Sequence, residues 1–277
     1  MEIKQQYLTG ERALYNTHGA TIIDSTFDDG ESPLKESSDL KIYNSIFKWK
    51  YPLWYCNNVY VKNTSFIDEA RAGIWYTNNI TIEDSTIAVV KTFRRATNVT
   101  LLNTTLPTAE ETFWSCKNIT LKNVSSVGKY FLMNSENIKI DGFNHNGQYL
   151  LDGAKNVEIH NARIVTKDAF WNCENVVVYD STIIGEYLGW NSKNVRFVNC
   201  TIDSLQGMCY MDGIVMENCK LLNTNLAFEL SKVEATIDSN IDSVKNPIEG
   251  HIKAKGIGEI ILDKDIIDPN KTKIEVD

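Results

Sequence analysis

The sequence predicts an all-β fold, a right-handed parallel β-helix of about thirteen short three-faced coils of about 19 residues each. Three observations predict it. A motif returns at a fixed short period, apolar and polar residues alternate within each copy, and a polar residue begins almost every copy. Each coil of such a solenoid buries its apolar side chains only against neighbouring coils, so the pattern must repeat along the chain.

The repeated motif reads Asn, then Val or Ile, any residue, Val, Ile or Leu, any residue, and Asn or Asp. Clear copies begin at Asn58, Asn79, Asn98, Asn118, Asn137, Asn156, Asn175 and Asn194, and weaker copies at Gly19, Asp39, Gly213, Lys232 and His251. Of the twelve steps between these thirteen starts, nine are 19 residues, two are 20 and one is 21. We therefore expect one domain over residues 1–277, with an N-terminal cap and first strand in 1–18, coils in 19–256 and a C-terminal cap in 257–277.

Each copy of the motif predicts a short β-strand, because its apolar residues alternate with polar ones. In the copy at Asn58, Val59 and Val61 point inward while Tyr60 and Lys62 point outward. Two further apolar rows lie eight residues after and five residues before the start of each copy. Three short strands joined by turns then give each coil three faces.

The residue that begins each copy, called the marker here, is Asp39 and then Asn in eight successive coils. Amide side chains at one place in stacked strands can form a hydrogen-bonded ladder, and Asn tolerates left-handed turns. We interpret this row as architecture. Two residues before the marker, small residues and three cysteines alternate in what we expect to be an interior slot. Cys200 and Cys219 share a second such slot, where their spacing permits a disulfide, although buried thiols are the better interpretation.

The composition limits the function classes. With 36 acidic and 28 basic residues the net charge is −8, which argues against general nucleic-acid binding. The chain has no run of 18 apolar residues, and its first residues lack the apolar core of a signal peptide. We therefore expect neither a membrane span nor a leader. Glycosylation motifs fall inside the predicted strands, so a bacterial cytoplasm is the expected location.

One row of the repeat is neither uniformly apolar nor uniformly small or polar. Four residues before the marker stand, in order, Lys35, Trp54, Trp75, Arg94, Trp114, Met133, Asp152, Trp171, Trp190, Cys209 and Phe228. A stack of indoles inside the solenoid is one interpretation, but burying unpaired charges costs several kcal/mol. The outward orientation is favoured, and it predicts a large exposed aromatic patch, which a monomer rarely carries without a use.

Flat aromatic faces spaced along a groove suit sugar rings, whose axial C–H faces stack on them, and Arg offers a bidentate fork to a carboxylate or sulfate. The expected ligand is therefore an oligo- or polysaccharide, anionic ligands included. The candidate binding residues are Trp54, Tyr55, Arg71, Trp75, Tyr76, Lys91, Arg94, Arg95, Trp114, Trp171 and Trp190. The alternative is a non-catalytic protein-interaction scaffold or a homo-oligomer interface on the same face, since Trp, Tyr and Arg are also enriched in interfaces.

Whether the chain is an enzyme is left open by the sequence, and an unrelated small-molecule enzyme is a third alternative. Among the acidic residues near the aromatic row, Glu111 and Asp152 are the candidate catalytic pair. Two coils separate them, about 10 Å by strand spacing, which is near the upper limit for inverting glycosidases. The four histidines fall on different rows, and no residue pattern indicates a cofactor or a metal.

Several longer stretches carry a resemblance to known proteins, namely GERALYN, DGESPLKES, FKWKYPLWYC, ARAGIWYT, KTFRR, DAFWNCENV and GEYLGWNSKN. Between about Gly10 and about Glu229 the chain resembles an uncharacterised bacterial family described only as a domain of unknown function. Its coil pattern is similar to that of the pectate-lyase-like β-helices. The resemblance implies the fold and no established activity, because the polygalacturonase signature of paired Asp, Gly-His-Gly and Arg-x-Lys is absent.

Overall fold

The computed structural model describes residues 1–277 and confirms the predicted fold class, with parallel strands stacked into a β-helix of about 14 turns. The chain divides into two compact units, Met1–Asn144 and His145–Asp277, called unit 1 and unit 2 below. No helix in the structure is long and apolar enough to cross a membrane.

Unit 1 contains two stacks of parallel strands. The first consists of β1 (Glu2–Lys4), β3 (Thr21–Ile23), β5 (Ser38–Tyr43), β7 (Asn57–Lys62), β10 (Asn78–Glu83), β13 (Thr97–Leu102) and β15 (Lys117–Lys129). The second consists of β2 (Tyr7–Leu8), β4 (Thr26–Phe27), β6 (Ile46–Phe47), β8 (Ser65–Phe66), β11 (Thr86–Ile87), β14 (Thr105–Leu106) and the end of β15. The strand β16 (Glu136–Gln148) follows. Because β1 and β2 already pair in this way, the first 18 residues form a coil of the common type.

The third face of unit 1 is built mainly from turns. Only β9 (Ile74–Trp75) and β12 (Phe93–Arg94) pair as strands there, with a single bridge from Arg94 to Trp114. Left-handed residues such as Tyr51 and Tyr55 interrupt the extended backbone on this face. Backbone hydrogen bonds still join the coils, for example from the Leu53 N–H to the Gly73 carbonyl at 2.8 Å. The expected third strand is therefore replaced in most coils by a regular turn.

Unit 2 repeats this arrangement with longer strands. They are β17 (Lys155–Lys167), β18 (Glu174–Tyr179), β19 (Thr182–Glu186), β20 (Lys193–Val198), β21 (Thr201–Leu205), β22 (Asp212–Leu222), β23 (Lys232–Lys245), β24 (Glu249–Ile261) and β25 (Thr272–Val276). Consecutive coils again pair in parallel, as in Val176↔Val195 of β18 and β20. A short 3₁₀ turn at Pro269–Lys271 precedes the last strand.

The predicted apolar rows form the core. Phe27, Phe47 and Phe66 stack with ring centroids 4.6 and 4.9 Å apart, and all three side chains are buried. The row five residues before the marker is also buried, from Leu34 to Phe170. In β7 the burial pattern alternates as expected, with Val59 and Val61 inside.

The six cysteines are all free and buried, so they pack as small apolar side chains in the interior. Cys56 and Cys116 occupy the slot two residues before the marker. The backbone N–H of each donates to a hydroxyl of the next coil. Cys56 donates to Thr77 at 3.2 Å, and Cys116 donates to Ser135 at 2.9 Å. Burial raises the pKa of the Cys56 and Cys116 thiols to about 12, which leaves them protonated and unreactive.

The marker row forms the expected amide ladder. The Asn118 side chain donates to Asn98 at 2.9 Å and accepts from Asn137 at 2.9 Å, and in unit 2 Asn194 donates to Asn175 at 2.7 Å. A second ladder lies at the end of the motif, where Asn63 donates to Asn44 at 2.9 Å. All these residues have positive φ, so the ladder residues also form the turns.

We expect Asn118→Ala to lower the free energy of unfolding by about 2 kcal/mol, because it removes two amide hydrogen bonds and leaves a poorly suited residue at φ 56°. Asn118→Gly is the matched control, since glycine relieves the backbone strain and should recover about 1 kcal/mol. Urea unfolding measures both. Equal stability of the wild type and both variants would show that the ladder contributes nothing.

His145 lies in the buried apolar row, eight residues after the marker Asn137, where Leu106 and Ile164 stand in other coils. Burial lowers the pKa of its imidazole from 6.5 to about 3. The unfolded chain therefore binds a proton at this residue between about pH 6.5 and 3, whereas the folded chain does not.

Stability should consequently fall as the pH falls through this window, by up to about 1.4 kcal/mol per pH unit from this residue alone. Denaturant unfolding of the wild type and of His145→Leu at pH 7, 5 and 4 measures it. The variant should lose stability less steeply than the wild type toward pH 4. Parallel curves would mean that His145 takes up its proton in the folded protein.

Candidate functional site

The row four residues before the marker faces outward from Lys35 to Trp190, whereas its last two members, Cys209 and Phe228, are buried, contrary to the expectation for the whole row. Trp54, Trp75, Trp114, Trp171 and Trp190 are all half-buried, whereas the residue before each of them is buried. Leu53, Ile74 and Phe113, for example, have no exposed surface. The candidate residues thus lie on the turn face of the coils, next to the core but outside it.

Every indole in this row donates its N–H to a backbone carbonyl of the following coil. The bonds run from Trp54 to Ala72 at 2.5 Å, Trp75 to Lys91 at 2.8 Å, Trp114 to Tyr130 at 2.8 Å, Trp171 to Tyr187 at 2.5 Å and Trp190 to Gln206 at 3.0 Å. Each acceptor is a residue with positive φ at the bend of the turn face. The tryptophans therefore clamp the turns of adjacent coils as well as covering them.

In unit 1 these side chains form a continuous column, called the tryptophan column below. Trp54 and Trp75 stack with centroids 5.2 Å apart and an angle of 9°. The Arg94 guanidinium lies 4.6 Å from the Trp75 ring centre and 4.7 Å from that of Trp114. At the other end, Tyr51 lies 4.4 Å from Trp54. Side chains of the same or neighbouring coils therefore lie against the ring faces of Trp54 and Trp75. The expectation that these faces stack on a sugar is wrong for these two rings, because only their edges are left.

A second, shorter column runs beside the first. Tyr55 and Tyr76 stack at 4.8 Å and 6°, and Tyr55 is 48% exposed. Lys35 lies 5.7 Å from the Tyr55 ring, and Arg95 lies 5.9 Å from the Tyr76 ring. A cation therefore lies at each end of this tyrosine column. Cation–π contacts of this kind contribute about 0.5–1 kcal/mol each at exposed sites.

The charges around the tryptophan column are only partly neutralised. The Glu111 carboxylate lies 3.3 Å from the Lys91 ammonium and 3.6 Å from the Arg94 guanidinium. Arg71 pairs with Glu69 at 3.5 Å. Arg95 is exposed and forms no ion pair, and the buried Nε–H of Arg94 has no hydrogen-bond partner. Orphaned buried donors are rare in proteins, which marks Arg94 as unusual.

In unit 2 the same row carries Asp152, Trp171 and Trp190. The two indoles stack at 5.6 Å and 6°, and Tyr210 meets Trp190 at 5.1 Å and 66°. Asp152 accepts a hydrogen bond from Asn172 at 2.8 Å. Seven residues before the marker stands Asp168, whose pKa is raised chiefly by burial, although the nearby Lys167 charge opposes this shift.

The two residues of the predicted catalytic pair lie in different units. Glu111 in unit 1 already faces two cations, and Asp152 in unit 2 is bonded to Asn172. Their role as an acid–base pair stays a prediction. By contrast, direct side-chain contacts in unit 1 link the candidate residues Trp54, Tyr55, Trp75, Tyr76, Lys91, Arg94, Arg95, Glu111 and Trp114. The Arg71 side chain pairs with Glu69, and the Arg71 carbonyl accepts from the Tyr51 N–H at 3.4 Å.

Sequence reasoning placed Arg94 in the tryptophan row but missed the indole clamp, in which each indole N–H donates to the following coil. The available signal was spacing, because Trp75, Trp114, Trp171 and Trp190 each precede their carbonyl partner by 16 residues. No group of three or more His, Cys, Asp or Glu side chains is arranged to hold a metal ion in the structure.

Comparison with solved structures finds distant neighbours of β-helix type. Endopolygalacturonase I from Stereum purpureum, in complex with two galacturonates, has 13% identity and a TM-score of 0.43, covering 99% of this chain and 93% of its own. The surface adhesin PfbA of Streptococcus pneumoniae has 11% identity and a TM-score of 0.40, covering 94% and 84%. The mannuronan C-5 epimerase AlgE4 A-module of Azotobacter vinelandii has 9% identity and a TM-score of 0.32, covering 99% and 88%. At these values the neighbours carry no argument about activity.

Comparison by sequence gives a family and no characterised relative. None of the curated proteins matches the chain. The family model described as "Protein of unknown function (DUF3737)" matches residues 1–275.

Because Arg94 occupies a tryptophan position, Arg94→Trp should be tolerated better than Arg94→Ala. The alanine variant loses two cation–π contacts and an ion pair, which together predict a loss of about 1–2 kcal/mol. A tryptophan at this position could stack between Trp75 and Trp114 and donate to the backbone of the next coil, as the other indoles do. Thermal unfolding should rank the wild type and Arg94→Trp above Arg94→Ala. Higher stability of Arg94→Ala than of Arg94→Trp would contradict the interpretation that Arg94 fills a tryptophan position in the column.

Proposed function

The chain belongs to the DUF3737 family of proteins of unknown function, and we propose that it binds an oligo- or polysaccharide through the tryptophan column and the flanking cations of unit 1. The observation that carries the proposal is the orientation of the rings. Since Trp54 and Trp75 use their faces within the column, they present their edges to a ligand. Aromatic edges bear the positive end of the ring quadrupole and favour electron-rich oxygen atoms.

The surrounding charges favour an anionic saccharide over a neutral one. Arg95 is exposed beside Tyr76 and has no carboxylate partner, so its fork is free to take a carboxylate or sulfate. Lys91 and Arg94 share the single carboxylate of Glu111, which leaves one unit of positive charge there uncompensated. In this proposal Glu111 orients the two cations and has no part in proton transfer.

A second candidate function is a protein interface on the same face. It is favoured by the exposure of Tyr55 at 48% and Tyr15 at 42%, because tyrosine and arginine are enriched where proteins meet. A stable homodimer in solution that Tyr55→Ala disrupts would favour this candidate. Light scattering after size exclusion measures the oligomeric state directly.

Binding is tested by tryptophan fluorescence titration against a panel of neutral and uronic-acid oligosaccharides. We expect quenching by the acidic members, weakened roughly tenfold by Arg95→Ala, since one charge-assisted contact contributes about 1.5 kcal/mol. Arg196→Ala is the matched control, because Arg196 is an exposed arginine of unit 2 that pairs with Glu217.

The control variant Arg196→Ala should bind as the wild type does. Trp75→Ala should lose binding, together with much of the tryptophan fluorescence signal. Unfolding of each variant is measured in parallel to separate binding from stability. Absence of quenching by any saccharide, or equal affinity of Arg95→Ala and the wild type, would overturn the proposal.

A further inference from the structure

The first residues of six stacked strands in unit 2 alternate in charge from coil to coil. In-register pairing of the strands places each of these residues beside the next, and their side chains reach solvent. The column, called the charge ladder below, consists of Lys155, Glu174, Lys193, Asp212, Lys232 and Glu249. Alternation of sign avoids repulsion within the chain, because like charges on adjacent strands destabilise a sheet.

Lys193, in the middle of the charge ladder, has no ion-pair partner within the chain. The carboxylates on both sides of it pair with other lysines, Glu174 with Lys155 at 3.1 Å and Asp212 with Lys232 at 2.8 Å. Lys193 itself is exposed and forms no salt bridge in the structure. Its ammonium is therefore available to a carboxylate from outside the chain.

The same outer surface carries apolar side chains on three adjacent strands. Val177 and Tyr179 of β18, Val198 of β20 and Val215 of β22 point away from the core and are only half-buried. In β10, β13 and β15 of unit 1, the place of Val177 is taken by the threonines Thr81, Thr100 and Thr120. Apolar side chains beside a charged edge are the usual composition of a protein interface.

A two-fold axis along the strand direction, midway between β18 and β20, makes this surface complementary to itself. The axis reverses the order of the coils and keeps the place of each residue along its strand. Every residue then faces the residue at the same place on the other side of the axis, and each pair occurs twice. The facing pairs are Lys193–Glu174, Lys155–Asp212, Tyr179–Val198 and His160–Glu217.

A two-fold axis along the direction of coil stacking gives no such match. It keeps the order of the coils and sets the first residue of each strand against the last residue of the same strand. Asp212 then faces Glu217, and Lys193 faces the apolar Val198. Like charges brought together in an interface oppose association. The order of charges therefore selects the first axis.

We propose that a second copy of this chain docks on the outer face of β18, β20 and β22, related to the first copy by the axis between β18 and β20. Two sheets packed face to face lie about 10 Å apart, which long lysine and glutamate side chains can bridge. The proposal uses no residue of the saccharide site in unit 1. Either proposal can therefore fail without the other.

The dimer is expected to be weak and sensitive to salt. Four strands of about six residues present roughly 20 Å by 20 Å, or about 400 Å² per copy, which is the size of a transient interface. The ladder charges are exposed, and salt at about 1 M screens them beyond about 3 Å. Sedimentation velocity at low salt should show a monomer–dimer equilibrium, and about 1 M salt should weaken it at least tenfold.

A charge swap at Lys193 and Glu174 tests the arrangement. Lys193→Glu sets two carboxylates against each other at both facing places, and Glu174→Lys sets two ammonium groups there. Each variant alone should be monomeric at low salt. An equimolar mixture of the two should associate again, because every facing pair then has opposite charge. Mixing leaves the ladder within each chain unchanged, so recovery of the dimer cannot come from a change in stability.

Lys220→Glu is the matched control, because Lys220 is exposed, forms no salt bridge and lies where β22 joins the other stack of strands. This control and Tyr55→Ala in unit 1 should dimerise as the wild type does. If Lys193→Glu does not fold, Val198→Lys, which sets a charge against Tyr179, should abolish the dimer instead.

Three results would overturn the proposal. They are a wild type that stays monomeric at low salt up to millimolar concentration, charge-swap variants that fail to associate when mixed, and a dimer that Tyr55→Ala disrupts but Lys193→Glu does not. The last result would assign the dimer to the turn face of unit 1.

Discussion

Within each unit, the residues of a coil lie against the residues at the same places in the next coil, and the rest of the structure depends on this in-register pairing. Each side chain must therefore tolerate a copy of itself as its neighbour. Amides and aromatic rings meet this condition, because an amide can donate to an amide and a ring can stack on a ring. Charged residues do not, and they alternate in sign instead, as in the coil-to-coil pairs Lys155–Glu174 and Lys232–Asp212.

This constraint also explains the aromatic surface. A tryptophan on the turn face, such as Trp75, stacks a ring face on a neighbouring side chain, and its N–H donates to a backbone carbonyl. Both interactions are made within the fold. In the function that we propose, recognition is left to ring edges and to the places where the row is interrupted. Arg94 is one interruption and Asp152 is another. The two carry opposite charge.

The repeat alone predicted the paired strands, the buried rows and the amide ladder, because each depends on residue type at a fixed period. It did not predict that turns would replace most third strands, since left-handed residues such as Tyr51 and Tyr55 carry no distinctive side chain. The indole clamp was hidden for a similar reason. Its acceptors are backbone carbonyls, and the residues that supply them, among them Ala72, Lys91 and Gln206, have nothing in common as side chains. The sequence located the aromatic surface, whereas the use of ring faces and edges required coordinates.

The tryptophans of the turn face are structural clamps, because each indole N–H donates to a backbone carbonyl of the following coil. Hydrogen exchange of the six indole N–H groups, followed by NMR on protein labelled with nitrogen-15 in tryptophan, tests this most directly. Trp49 is the internal reference, since its indole N–H forms no hydrogen bond in the structure. We expect slow exchange for Trp54, Trp75, Trp114, Trp171 and Trp190 and fast exchange for Trp49. Exchange of all six at the rate of Trp49 would contradict it.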